Sequence, residues 1–224
     1  MRVREKTTHP AQGRVLIGLG WLRIGLAAGE VIALIGNLQY VLGFSAFGVG
    51  NFFGYFTIQS AIIAVPVLII GGILLLGRRP ETRAFITIRT IVLVYVLLSG
   101  IVFGLLAAFS TTRTYQIAIP WSDQLLHFVL PVGILIDWLV HRFLAPLSPA
   151  VPWIALGWSV PFPILWLVLT VIRGEAVGWY PYFFLDPSQV SGTPAIVGYC
   201  AVVLLTLLGF TAAFIGLSRL RRLD

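Results

Sequence analysis

The sequence has a single cysteine, Cys200, which excludes an internal disulfide framework and a Cys-rich metal site. Histidine is nearly as scarce. His127 and His141 stand fourteen residues apart with no clustered ligand beside either, which argues against a metal centre, and His9 lies in the polar N-terminal segment. Neither a phosphate-binding glycine loop nor a Gly-x-Ser-x-Gly elbow is present, so the templates of soluble hydrolases do not apply. No Pro/Ser-rich linker or charge block divides the chain, and residues 15–108 show no convincing similarity to 122–217. The expectation is one domain over residues 1–224, without the inverted repeat of many transporters.

Charge is also sparse, at 10% of 224 residues, whereas 58% are hydrophobic and mean hydropathy is +0.98. Such a composition belongs to integral membrane proteins. Stretches near the ~20 residues needed to cross hydrocarbon occur at about 15–42, 53–77, 85–108, 122–144, 151–172 and 194–217. The fold expected is an all-α, polytopic bundle of six transmembrane helices. The first span follows a basic segment, is too long for a signal-peptide core and lacks a small-residue cleavage site, so it is expected to remain as an anchor.

Basic residues set the orientation, because Lys and Arg collect in short cytoplasmic loops. Arg2, Arg4, Lys6, Arg14, Arg78, Arg79, Arg83, Arg142, Arg219, Arg221 and Arg222 fall on one side, against Arg113 and Arg173 on the other. Both termini are therefore expected in the cytoplasm, in a multi-pass protein of the plasma or bacterial inner membrane. The net charge of +7 is read in the same way, not as a nucleic-acid footprint.

Polar residues inside apolar spans need a partner or a task. Thr57, about four residues into the second span, and His127, about five into the fourth, are expected at similar depth below the outer helix ends. Thr57 could serve as packing glue, since intramembrane hydroxyls often bond the carbonyl one turn back. His127 has two ring nitrogens to satisfy and is harder to explain structurally. Together they could form a nucleophile and its general base. Glu30, Asp123 and Asp186 are the candidates to orient the imidazole, with Asp123 alternatively capping the fourth helix beside Ser122. Arg89 and Asp137 are expected to form a buried pair with His141 one turn below, and Arg23 and Glu30, seven apart, to face the bundle interior. Pro66, Pro131, Pro161 and Pro163 are expected to bend their spans, and Gly100 and Gly104 to serve internal packing more than a dimer interface. The outer connection holding Trp179 to Pro187 reads either as an aromatic interfacial belt or as a lid.

Phe56-Thr57-Ile58-Gln59-Ser60, His127 with Pro131 and Asp137-Trp138, and Trp179-Tyr180-Pro181 with Leu185-Asp186-Pro187 carry a further signal. In these motifs and in six-span layout, the chain resembles the androgen-induced membrane proteins and their bacterial relatives, a family that includes the androgen-dependent regulator of tissue-factor-pathway inhibitor. Characterised animal members are threonine hydrolases of fatty acid esters of hydroxy fatty acids. The resemblance implies Thr57 as nucleophile and His127 as base, with a lipid ester or fatty acid as substrate, membrane lipids as surroundings, and neither cofactor nor nucleic acid. One departure is Ala61, where the bacterial relatives often carry Asn. Gln59, Ser60 and Asn51 are candidates for stabilising the oxyanion. The competing expectation is a non-enzymatic carrier or lipid-binding scaffold, drawn from the helix-embedded prolines and buried charges.

Overall fold

A chain segment surrounded by hydrocarbon must satisfy its own backbone hydrogen bonds, and an apolar run of about 20 residues does so as a helix. The computed structural model describes residues 10–44, 48–109, 120–144 and 148–220. Arg2, Arg4, Lys6, His9, Arg113, Arg221 and Arg222 lie outside them, as does most of the 109–121 connection. In chain order the elements are α1 (Pro10–Leu42), a short α2 (Val49–Phe52), α3 (Phe56–Leu76), α4 (Arg83–Phe109), a short α5 (Trp121–Gln124), a π-helical turn (Leu125–Val129), α6 (Leu130–Leu144), a short α7 (Ala155–Trp158), α8 (Pro161–Val177), a 3₁₀ turn (Phe183–Leu185) and α9 (Thr193–Leu217). Among the described residues there is no strand, and six helical stretches are long and apolar enough to cross a membrane.

Two boundaries differ from the sequence expectation in a way that matters. The second span starts at Phe56 instead of 53, because residues 49–52 form a separate turn and Tyr55 is extended at φ −73°, ψ 132°. Thr57 consequently lies in the first turn of α3. The fifth span runs on to Val177, five residues beyond the expected 172, and stops where Gly178 takes the left-handed conformation at φ 68°. Glycine ends helices this way because it has no Cβ to clash. Pro161 opens α8 at its first turn, where its missing N–H costs nothing, so it starts the helix and does not interrupt it.

Small residues let the helices close on one another. A methyl on Gly72 of α3 would stand 3.0 Å from the Gly20 carbonyl oxygen of α1, and one on Gly29 of α1 would stand 2.8 Å from a Leu130 methyl. α4 is the central helix: 72% of its apolar window is buried, against 17% in α8 and 22% in α9. The outward faces are apolar, with Trp21, Ile73, Leu165 and Leu205 all exposed, as suits a surface bathed by lipid.

A group of charges lies inside. Arg23 of α1 donates through Nε to both Asp137 oxygens at 2.9 and 3.0 Å and through Nη1 to Glu81 at 2.6 Å. Arg89 of α4 donates to the same two acids at 3.0 and 3.2 Å, and also to His141 Nδ1 at 2.8 Å. An arginine only donates, so His141 accepts there with the Nδ1 lone pair. The expected Arg89–Asp137 pair is thus half of a four-charge cluster, and Glu81 of the loop before α4 and Arg23 complete it. Ser148 also donates to Glu81, at 3.2 Å, which draws the connection after α6 onto the same cluster. Nearby, Arg142 bonds the Leu220 carbonyl and Ser218 accepts from the Val151 N–H. The basic end of the bundle is fastened by polar contacts as the interior is by apolar ones.

Burial alone would raise the Glu81 carboxyl, but the guanidiniums of Arg89 and Arg23 outweigh it and hold the group down at about 2, against an ordinary value of 4.5. A depressed acid contributes stability that is complete above about pH 4.5 and lost as pH falls through 2. In detergent melts, the gap between the wild type and Glu81→Gln is expected to narrow over that range, and a constant gap would contradict the pairing. Asp137→Asn leaves two buried guanidiniums facing one acid and is expected to cost about 3–5 kcal/mol in unfolding free energy. A Tm unchanged from wild type would show that the cluster holds nothing together.

Candidate functional site

A helical threonine with no other task bonds the carbonyl one turn back. Thr87, Thr90, Thr206 and Thr211 all do so, at 2.7 to 2.8 Å. Thr57 does not. Its hydroxyl lies 3.2 Å from His127 Nε2, although seventy residues separate the two in sequence. Both side chains are buried, at 6% and 9% exposure.

His127 occupies the π-helical turn that leads into α6, a local widening that is common at functional positions. Its Nδ1 lies 2.9 Å from the Asp123 carbonyl oxygen. A carbonyl can only accept, so Nδ1 carries the proton and Nε2 presents a lone pair to Thr57. Phe103 of α4 stacks on the imidazole at 3.8 Å between centroids and 15° between planes. Gly100, one turn earlier on α4, abuts the His127 carbonyl so closely that any Cβ there would collide with it. The Gly100/Gly104 pair is therefore internal packing, and Gly100 specifically admits the His127 backbone.

The candidates for the third role separate clearly. Asp123 serves through its backbone oxygen: its carboxylate stands 4.0 Å from Nδ1 and instead accepts from Asn37 Nδ2 at 2.5 Å. Nor does it cap the helix, for Pro120 is the N-cap residue and makes no side-chain cap bond. Glu30 is fully buried on α1, and neither of its oxygens has a hydrogen-bond partner among the described residues. Asp186 binds the Ser188 backbone and hydroxyl and Gln189, which hold its carboxyl below the usual range and make it part of its own turn.

The nominated oxyanion donors lie away from the shared cavity. Gln59 donates to the Phe53 carbonyl, Ser60 to the Thr57 carbonyl, and Asn51 accepts from Arg173. None of the three lines the cavity that Thr57 and His127 share. That cavity, about 490 Å³, is bounded by Asn37, Tyr40, Tyr55, Ser99, Phe103, Asp123, Pro181 and Tyr182 among others. Beside it, a second cavity of about 430 Å³ runs among α4, α8 and α9, lined by Val102, Pro163, Leu167, Val197, Cys200 and Leu204. Ser99 and Tyr182 border both. Volumes of this size suit ligands with tens of heavy atoms, within the ~300–1,000 Å³ typical of small-molecule sites.

Tyr182 is the residue that sequence reasoning missed. It belongs to the aromatic connection between α8 and α9 and lines the cavity that Thr57 and His127 share. Burial pushes its phenol up to about 12, so the hydroxyl keeps its hydrogen at neutral pH. Tyr55 and Trp166 meet its ring edge-on, and Phe184 stacks on it at 5.3 Å. The only signal in sequence was the density of aromatic residues after Gly178, which suits a membrane belt equally well.

Nitrogen-15 NMR of histidine-labelled protein in detergent near neutral pH should show His127 as the Nδ1–H tautomer, with an Nε2 resonance that moves in Thr57→Val. The opposite tautomer, or an Nε2 signal indifferent to Thr57, contradicts the geometry. Comparison with family models, characterised proteins and solved structures gives no match to this chain, so the family resemblance stands on its short motifs alone.

Proposed function

We propose that the chain is an intramembrane lipid-ester hydrolase, with Thr57 as nucleophile and His127 as general base and then acid. The observation that carries this reading is the 3.2 Å contact between Thr57 Oγ1 and His127 Nε2. A neutral threonine hydroxyl is a weak nucleophile, and a base whose lone pair already faces it removes that obstacle. Thr57 Oγ1 bonds to the ester carbonyl carbon while its proton passes to Nε2. The carbon–oxygen bond to the alcohol then breaks, and Nε2 returns the proton to the departing oxygen. Water attacks the acyl-threonine, giving its proton to Nε2, and Oγ1 leaves with that proton as the free acid forms. The Asp123 carbonyl holds the Nδ1 proton throughout and stabilises the imidazolium formed midway.

The neighbouring apolar cavity supports a substrate with a hydrocarbon tail, which would lie among Val102, Leu167 and Val197 while the ester sits at Thr57. The specific class, a fatty acid ester of a hydroxy fatty acid, rests on the family resemblance. The distribution of basic residues favours a cell membrane with the Arg78/Arg142 end in the cytoplasm and the site towards the opposite leaflet. Glu30 favours a second reading, a carrier, because an unpartnered acid inside a bundle also marks proton-coupled transport.

Purified protein in detergent, given a branched fatty acid ester and simpler acyl esters, should hydrolyse at least one of them. His127→Ala should lower kcat by about 10²–10⁴-fold, the range of general acid–base assistance, and Thr57→Ala, which removes the nucleophile, should lower it at least as far. Turnover at wild-type level in either variant would exclude the mechanism, and absence of cleavage by every form would favour the carrier.

A further inference from the structure

The two least buried spans, α8 and α9, share a hollow: the cavity of about 430 Å³ is lined by both, with α4 as its third wall. Along α9 the lining residues recur every three or four positions, which is one face of a helix. The middle of that face is small. Cys200 and Ala201 stand there, with Ile196 and Val197 on one side and Leu204 and Leu207 on the other. Leucine or phenylalanine at those two positions would fill the space to the density usual in protein interiors, whereas cysteine and alanine leave it open.

The hollow is also open at its side. Ile164 of α8 and Val197 of α9 line it and yet are 42% and 61% exposed, so part of its wall belongs to the surface bathed by lipid. The aromatic connection between the two helices closes another part. Phe184 and Leu185 are buried there, and the Phe184 ring packs on Tyr182 and Tyr199 at 5.3 and 5.8 Å.

The chemistry of the wall selects the occupant. No charged side chain lines the cavity. Ser99 donates to the Val96 carbonyl at 2.8 Å and Trp166 Nε1 to the Gly54 carbonyl at 3.0 Å, so neither has a hydrogen left for a ligand. A polar headgroup would give up water here for few bonds in return. A hydrocarbon chain gives up nothing on leaving the bilayer, and it supplies the dispersion contacts that an empty space denies its lining. From Ile196 to Leu207 the lining runs about 16 Å along α9. That is about half of the ~30 Å hydrocarbon core, and so close to the length of one lipid chain.

We propose that this cavity is an acyl-chain subsite filled sideways from the bilayer between α8 and α9, and that Cys200, at its middle, sets the length of chain it accepts. The inference rests on the hydrolase reading for the fate of the ester, and it names the substrate class as long-chain acyl esters taken directly from the membrane. Continuity with the reacting site gives the chain its direction. Ser99 and Tyr182 border both cavities, and Phe56, on the apolar wall, immediately precedes Thr57 in α3. A chain lying between α8 and α9 therefore has its head at Ser99 and Tyr182, and its carbonyl passes into the cavity of Thr57 and His127 while its tail stays in apolar surroundings. A short acyl group needs only the junction. A long one has to pass Cys200.

The test is made in phospholipid nanodiscs, since detergent tails would compete for the subsite. Palmitic acid carrying a mid-chain diazirine should crosslink to residues such as Leu167, Cys200 and Leu204, and excess unlabelled palmitic acid should displace it. Cys200→Trp, which plugs the middle, should abolish those crosslinks. It should also lower kcat/KM for a palmitoyl ester at least about tenfold, the low end of what one misfitting group does in an apolar pocket, while an acetyl ester of the same alcohol is cleaved as by wild type. Cys200→Leu, a milder plug, should shift the same ratio in the same direction, and Leu205→Trp, on the lipid-facing side of α9, should not. Crosslinks spread over lipid-facing residues such as Leu165 and Leu205 and indifferent to excess palmitic acid would overturn the subsite, with acetyl-ester cleavage still supporting the hydrolase. Equal loss of palmitoyl and acetyl turnover in Cys200→Leu would overturn the role of Cys200 in chain length. Displaceable crosslinks on the lining residues, with no ester cleaved by any form, would sustain the chain subsite and overturn the hydrolase.

Discussion

Hydrocarbon offers no hydrogen bonds, so a polar group within this bundle is stabilised by another part of the chain, and Glu30 stands as an exception among the described residues. Two polar islands result. At the basic end, Arg23, Glu81, Arg89 and Asp137 alternate cation and anion across α1, the loop before α4, α4 itself and α6. At the other end, Thr57, His127 and the Asp123 carbonyl are joined by hydrogen bonds drawn from α3, the π turn and α5. Apolar packing lies between them, and glycines at 20, 29, 72 and 100 bring the helices close enough for both sets to meet.

The two islands do different work because their balances differ. In the first, two guanidiniums face two carboxylates, charges cancel, and the gain is registry between helices that hydrophobicity alone would leave free to slide. In the second no full charge is needed. Neutral groups are ordered head to tail: hydroxyl to imidazole, imidazole to carbonyl. Such a chain costs little to bury, and under the proposed hydrolase reading it would receive the charge that an acyl transfer creates.

Much of this was legible in the sequence, because membrane burial simplifies the code. The six spans followed from hydropathy, and Thr57, His127, Arg89 and Asp137 stood out as polar residues in apolar runs. What stayed hidden was hidden for physical reasons. Glu81 reads as a solvated loop acid until the loop folds back over Arg23 and Arg89. Asp123 presents a carboxylate to the eye, yet it is the backbone carbonyl, carried by every residue, that orients His127, and only a π turn places it there. Tyr182 is one aromatic residue among many in a segment whose composition fits a membrane belt. The extra helical turns before Gly178 depended on a glycine conformation that sequence does not announce.

The central claim is that Thr57 becomes acylated. Rapid quenching during turnover of a slow acyl ester, followed by peptide mass spectrometry, tests it most directly. The expected result is one acyl mass on the peptide containing Thr57, fragmenting to that residue and absent from Thr57→Val. An adduct on another residue, or steady hydrolysis with no adduct at any time, would contradict it.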